Sequence, residues 1–147
     1  MTKQQMKAFL SQAYRIDRRI DSKLEQIISL RELTIKATAT LSETHISGNR
    51  HFHSMEDCIA KIVDLENEVN RDISRLIELK RKIMAVIKLV EHPEYQTLLE
   101  LRYLCFKTWE ETAVAMGYDL RYVHKLHGRA LESCSFQKDT KRHRKTP

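Results

Sequence analysis

Glycine and proline are scarce in this sequence: its 147 residues include three glycines and two prolines. Because strand-rich folds need frequent turns, this scarcity predicts a few long helices. The three cysteines are odd in number and form no Cys-x-x-Cys pair, which argues against a disulfide framework or a zinc finger. The sequence also has no apolar run long enough to cross a bilayer and no secretory signal at its start. We therefore expect an all-α protein of the cytoplasm, without a membrane partner.

Basic residues outnumber acidic ones, and they concentrate at the C-terminal end. The formal net charge is +6, and residues 133–147 alone contain five Lys or Arg and one Asp. Such an excess suits nucleic acid or another acidic partner. Residues 136–147 form a basic tail that is predicted to be disordered. Two roles fit this tail: improving solubility, or contacting phosphates through Lys141, Arg142, Arg144 and Lys145.

Residues 1–91 carry two long amphipathic patterns. In the second, apolar residues recur at intervals of three and four over residues 55–90, interrupted at Glu66 and Lys80. Such a stripe is typical of a coiled coil, in which the two charged residues would set the register. A similar stripe opens the chain, and each helix would be about 55 Å long. We expect a long antiparallel, coiled-coil-like hairpin, although a homodimer through the same helices satisfies the stripes equally well.

A turn is predicted between these helices at Ser47–His53, with Ser54 as the cap of the second helix. Four residues near this turn are of types that bind metals: His45, His51, His53 and Cys58. No second Cys and no carboxylate stands at a spacing from them that would complete a metal site. The sequence contains no phosphate-binding loop and no nucleophile elbow. We therefore expect no enzyme, with no catalytic residue, cofactor or bound metal; metal-dependent catalysis at these histidines is a third hypothesis beside the two developed below.

Residues 93–135 predict three short helices. Pro93 suits the first turn of a helix and ends the preceding one. Thr108 is placed to cap a second helix, which Gly117 ends with a sharp turn. A third helix follows over residues 120–133. This order and spacing predict a three-helix helix-turn-helix bundle after the hairpin.

The third helix is expected to bury one face and expose the other. Val123 and Leu126 fall where they would pack it onto the first two helices, and Ala113 lets the second and third helices cross closely. The outward face would enter a major groove, where Arg and Lys donate to base edges or phosphates. Its predicted DNA-binding residues are Arg121, His124, Lys125 and Arg129. The alternative is a plain three-helix bundle whose basic residues are only solvated.

Three stretches of this region resemble region 4 of bacterial sigma factors, the module that reads the upstream promoter element. They are Leu99–Tyr103, Trp109–Ala113 with Gly117–Tyr118, and Val123–Leu131. The layout of the whole chain is similar to that of proteins carried by phages and mobile elements of Gram-positive bacteria, and to phage late-gene transcription activators of the RinA and ArpU type. The resemblance implies a transcription regulator that binds double-stranded DNA and contacts host RNA polymerase.

Two features depart from sigma factors. The aromatic-rich region that melts promoter DNA is missing, so we do not expect this chain to initiate transcription alone. The aromatic residues of positions 1–91 are Phe9, Tyr14 and Phe52. In addition, His124 and His127 stand where Arg or Lys is more usual on the reading face. A homodimer would let two such heads read paired half-sites. The competing hypothesis is an adaptor that uses the hairpin and the C-terminal bundle to bind proteins, without specific DNA binding.

Overall fold

The computed structural model describes residues 1–43 and 48–144, with side chains for residues 1–39 and 53–144. Every regular element in these ranges is helical, which confirms the all-α prediction. The helices are α1 (Lys3–Leu10), α2 (Gln12–Glu43), α3 (Gly48–Ile87), α4 (Pro93–Leu99, continued by a π-helical turn over Glu100–Leu104), α5 (Trp109–Met116) and α6 (Leu120–Arg144).

The chain divides into two compact units. We call Ile16–Arg75 the hairpin unit, and Met1–Arg15 together with Leu76–Pro147 the terminal unit. This division differs from the predicted one, in which residues 1–91 formed the hairpin, because α1 and the end of α3 belong to the terminal unit. Their apolar side chains are buried in one core with those of α4 and α6.

In the hairpin unit, α2 and α3 run antiparallel. Lys23 of α2 pairs with Asp72 of α3 at 2.5 Å, and further along α2 Arg31 pairs with Glu66 at 2.5 Å. The partners follow one another in opposite directions along the two helices, as predicted for a hairpin. The hydrogen bond from Lys23 holds the pKa of the Asp72 carboxyl below its ordinary value. Among the side chains described in this unit, the buried apolar ones are Ile20, Ile27, Ile62, Leu65 and Val69.

The start of α3 lies earlier than predicted. This helix begins at Gly48, so the predicted turn is wrong for residues 48–53 and the predicted cap at Ser54 is wrong. Ser47, where that turn was predicted to start, lies outside the described residues. The reason is local, because no glycine or proline occurs between Gly48 and Pro93 to interrupt a helix. Helical hydrogen bonding therefore extends through the polar residues that follow Gly48.

The terminal unit has a single apolar core to which α1, the end of α3, α4, α5 and α6 contribute. Its fully buried side chains include Leu10, Ile83 and Leu98. The Cys134 thiol lies 3.7 Å from the thioether sulfur of Met6, and burial raises the pKa of this thiol to about 11. These contacts hold α1 against α6.

Helix α6 extends beyond its predicted end near residue 133 and continues to Arg144. No glycine or proline occurs between Gly128 and Pro147, and contacts with the N-terminal residues hold the extra turns. The Lys138 ammonium lies 4.3 Å from the centre of the Phe9 ring, and the chain's amino terminus pairs with Asp139 at 2.6 Å. The predicted disordered tail is therefore wrong for residues 136–144, while residues 145–147 lie outside the described ranges.

Candidate nucleic-acid interface

The turn between α5 and α6 is fixed by local hydrogen bonds. The Thr108 hydroxyl accepts a hydrogen bond from the Glu111 N–H at 3.1 Å and so caps α5. Gly117 ends α5 with φ 71°, a left-handed conformation that glycine adopts without strain. Asp119 then caps α6, because its carboxylate accepts from the Tyr122 N–H at 2.8 Å. The predicted cap at Thr108 and the predicted turn at Gly117 are both found.

Packing of α6 follows the predicted division into two faces. Val123 and Leu126 are buried in the core of the terminal unit, and so is Ala113 of α5, which faces them. The spacing of these buried residues fixes which way the helix faces. The opposite side of the first half of α6 is therefore left to solvent.

Basic residues occupy this exposed side of α6. Arg121, Lys125 and Arg129 are all exposed, and their spacing of four residues lines them up along one edge of the helix. Among the described residues, no carboxylate forms an ion pair with any of these three. Their donor groups are thus available to a ligand, as a contact with base edges or phosphates requires.

A lysine from the other end of the chain lies beside this edge. The Lys3 ammonium is 3.4 Å from the position that a Cβ at Gly128 would take, and it pairs with Glu132 at 3.3 Å. Lys3 thereby places a positive charge on the outward face of α6 and offsets the acid that this face carries. The sequence held no local signal for this contact, since the two helices lie at opposite ends of the chain.

The remaining predicted residue of this helix, His124, lies against an aromatic cluster. His124 is exposed, and its ring centre is 4.8 Å from that of Trp109. The Arg102 guanidinium lies over the same indole at 4.5 Å, so two polar groups border the half-buried tryptophan. His124 therefore sits at the margin of the exposed edge.

The placement of His127 corrects the sequence interpretation. This residue was expected on the reading face, yet it is 7% exposed and belongs to the interior. Its Nε2 and the Tyr103 hydroxyl are 2.6 Å apart and share a hydrogen bond, and its ring packs edge-on against Trp109 at 4.6 Å. The physical reason is the helical angle, because His127 lies four residues after the buried Val123 and four before the buried Leu131, on the core side of α6.

Several positively charged groups lie near His127. Burial, together with the nearby charges of Lys7, Arg102, His124 and Lys3, lowers the pKa of this histidine to about 4, and burial is the largest cause. Burial also raises the pKa of Tyr103 to about 12. Both partners of the buried hydrogen bond are therefore neutral at pH 7, while the surface above them is cationic.

We expect the terminal unit to lose stability in mild acid because of His127. In the unfolded chain this histidine takes up a proton near pH 6.5, whereas in the folded protein it does so only near pH 4. The unfolded state therefore binds more protons between these values, and stability is present above pH 6.5 and lost as pH falls towards 4. The loss amounts to about 3 kcal/mol. Urea unfolding followed across this window measures it.

The control for this prediction is the difference between histidine variants. His127→Gln removes the titration, so its stability should depend less on pH in the same window. His92→Gln, at an exposed position of the same unit, should keep the pH dependence of the unsubstituted protein. Identical pH profiles for His127→Gln and the unsubstituted protein would contradict the burial of a neutral His127.

The predicted tail residues lie apart from the exposed edge of α6. Lys141, Arg142 and Arg144 are exposed in the last turn of the helix, and Lys145 lies outside the described residues. Twenty residues separate Arg121 from Lys141, which corresponds to about 30 Å along the axis and roughly 160° around it. The two groups of cations therefore form separate surfaces.

Comparison of this chain with protein-family models, with curated proteins and with solved structures finds no match. Within residues 1–43 and 48–144, no helix is long and apolar enough to span a membrane. The same described part of the chain holds no group of three or more His, Cys, Asp or Glu placed to bind a metal ion. Two of the candidate ligands predicted near the turn, His45 and the side chain of His51, lie outside the described part of the chain.

Proposed function

We propose that this protein is a DNA-binding transcription regulator that reads duplex DNA with the first half of α6. The observation that carries the proposal is a line of three exposed cations, Arg121, Lys125 and Arg129, with which no described carboxylate forms an ion pair. Helix α6 presents this line while its other face is anchored in a core. The order of α5, the turn at Gly117 and α6 is the order that a helix-turn-helix requires, which supports the proposal.

Each cation has a role that its position supports. Arg121 lies in the first turn of α6, the part of a reading helix that reaches base edges, and its guanidinium can donate twice to a guanine. Lys125 lies one turn further and reaches either a base or a phosphate. Arg129 lies two turns after Arg121 on α6, and Lys3 of α1 lies beside Gly128. Both contact phosphates, and such contacts position the protein without reading the sequence.

The biological setting follows from the resemblance to sigma region 4. A region-4-like head joined to a long helical part fits a regulator of a phage or mobile element that recruits or contacts host RNA polymerase. Because the sequence lacks an aromatic region to melt promoter DNA, the protein acts at a site and relies on polymerase to open it. Specific binding comes from α6, and the remaining helices are free for other contacts.

A second candidate function is an adaptor that binds proteins without reading DNA. It is favoured by apolar side chains that line one groove on the surface of the terminal unit, where Ile77 and Met84 of α3 are 58% and 45% exposed. Such side chains commonly mark protein contacts when they cluster. The two functions are separated by a duplex-binding measurement.

The experiment that tests the proposal is selection from a pool of random duplexes, followed by titration of the enriched sequence with the purified full chain. DNA binding predicts enrichment of a common sequence and tighter binding of it than of a scrambled duplex. Absence of duplex binding at low salt would reject the proposal in favour of the adaptor.

The salt dependence of binding distinguishes the two groups of cations. We expect Lys3→Gln with Arg129→Gln to reduce the slope of log K against log salt by about 0.9 per lost phosphate contact, for all duplexes alike. The matched control is Lys141→Gln with Arg142→Gln, which removes the same charge about 30 Å away along α6. This control should leave the slope nearly unchanged, because the proposal places the duplex against the first half of α6 and not against its last turn. Equal changes for both pairs would contradict the assignment.

A further inference from the structure

Six aliphatic side chains of the hairpin unit are between 40% and 69% exposed and lie along one side of their helices: Leu24, Ile28, Ile35, Ile59, Val63 and Ile73. Leu33 of α2 is also exposed but lies on the opposite side of its helix. The three residues of α2 lie within about 40° of one another around the helix, and the three of α3 lie within about 80°. Each helix therefore carries an exposed apolar stripe beside the stripe that it buries in the hairpin.

An ion pair shows that both stripes lie on the same side of the hairpin. On α2, Arg31 lies between Ile28 and Ile35, and on α3, Glu66 follows Val63 by about one turn. The Arg31 guanidinium is 2.5 Å from the Glu66 carboxylate. Since the two charged residues meet across the hairpin, the stripes that flank them form one surface, which we call the apolar face.

We propose that the apolar face binds the same face of a second copy of the chain, so that two hairpins form a four-helix bundle. The stripes run over residues 24–35 of α2 and 59–73 of α3, which is roughly 20 Å of helix, and two helices packed 8–10 Å apart give a width of roughly 20 Å. The resulting area of about 400 Å² per copy is about half of the roughly 800 Å² that a standard protein–protein interface buries on each side, so the dimer is expected to be of the weaker, reversible kind.

Charge placement makes the apolar face complementary to itself. A two-fold axis parallel to the helices would set α2 of one copy on α3 of the other, antiparallel to it. Residues at the same level of the hairpin then meet: Arg31 faces Glu66 of the second copy, and Leu24 faces Ile73 of the second copy. The ion pair at the middle of the face thus becomes a ring of alternating charges, and aliphatic residues meet on either side of it.

The first test introduces charge into the apolar face. We expect the full chain to sediment as a dimer at about 100 µM, roughly a hundredfold above a micromolar Kd. Ile28→Glu with Val63→Glu should raise the dimer Kd by about a hundredfold or more, because each carboxylate would be buried without a partner. The matched control is Gln26→Glu with Ser29→Glu, which adds the same charge at exposed positions of α2 that lie about 100° or more around the helix from its apolar stripe and should leave the dimer intact.

The second test uses the ion pair, whose side chains are exposed enough (60% for Arg31 and 43% for Glu66) to be changed without disturbing a core. Arg31→Glu alone would give four acids at the centre of the dimer, and Glu66→Arg alone would give four bases. We expect each variant to be monomeric by itself. Mixed in equal amounts, the two should form a heterodimer, because opposite charges then face each other again.

Three results would overturn the proposal. One is a monomeric full chain at about 100 µM, which would leave the face to a different protein. Another is a dimer that resists the charges at Ile28 and Val63, which would place the interface elsewhere. The last is a mixture of the two ion-pair variants that stays monomeric. Should the double glutamate variant lose helical content, the mixing experiment decides. These outcomes do not depend on whether the terminal unit binds DNA.

Discussion

Replacing both Arg121 and Lys125 with alanine is expected to lower the affinity for the selected duplex by about 2–6 kcal/mol, or thirtyfold and more. Each good base contact contributes about 1–3 kcal/mol of discrimination. Both side chains are exposed and, within the described residues, neither pairs with a carboxylate, so their removal should not disturb the fold. Affinity is measured by fluorescence anisotropy with the selected duplex and a scrambled one, and helical content by circular dichroism.

Comparing the two duplexes separates a loss of base contacts from a general loss of DNA affinity. Loss of base contacts should reduce binding to the selected duplex more than binding to the scrambled one, so the ratio of the two affinities falls. Lys61→Ala with Arg71→Ala, at exposed positions of α3, removes two charges from the hairpin unit and should preserve that ratio. A double variant at Arg121 and Lys125 that retained the full preference would show that α6 does not read the DNA.

Replacing Leu10 with alanine is expected to lower the free energy of unfolding of the terminal unit by about 2–5 kcal/mol. Leu10 ends α1 and is fully buried in the core that α4 and α6 share. Truncation removes its buried methyl groups and leaves a cavity, which the surrounding helices fill only in part. Trp109 is the single tryptophan of the chain and lies in this unit, so its fluorescence during urea unfolding reports the change.

A polar position on the same helix provides the control. Gln4→Ala changes an exposed residue of α1 and should leave the urea midpoint of the Trp109 signal within the small range of surface substitutions, about 0.5 kcal/mol. Equal midpoints for Leu10→Ala and Gln4→Ala would mean that α1 is not part of the core. The same result would remove Lys3 from the neighbourhood of α6 and with it one expected phosphate contact.

Local chemistry allowed the sequence to predict much of the C-terminal region. Pro93 begins α4, Thr108 caps α5 and Gly117 ends it in a left-handed conformation, as expected from their positions. A cap or a turn depends on a few neighbouring residues, so its signal is complete within a short stretch of sequence. The exposed positions of Arg121 and Lys125 followed in the same way from the periodicity of α6.

The two long helices and their antiparallel pairing were predicted, but the residues at which the helices begin and end were not. Their apolar periodicity indicated an antiparallel pair, and the ion pairs of Lys23 and Arg31 with α3 agree with it. Their limits were harder to place, because a helix end without glycine, proline or a cap depends on what the last turn contacts. Thus α6 continues to Arg144, with Lys138 against Phe9. Helix α3 begins at Gly48, ahead of the cap predicted at Ser54.

The sequence by itself determined the helical class, the caps of the short helices and the basic edge of α6. Tertiary structure alone decided that α1 packs on α6, that Lys3 joins the basic edge and that His127 is buried against Tyr103. Periodicity shows that a helix has an apolar face, but it does not show which other helix covers that face. That choice depends on contacts between residues far apart in the chain, and only the folded core of the terminal unit brings them together.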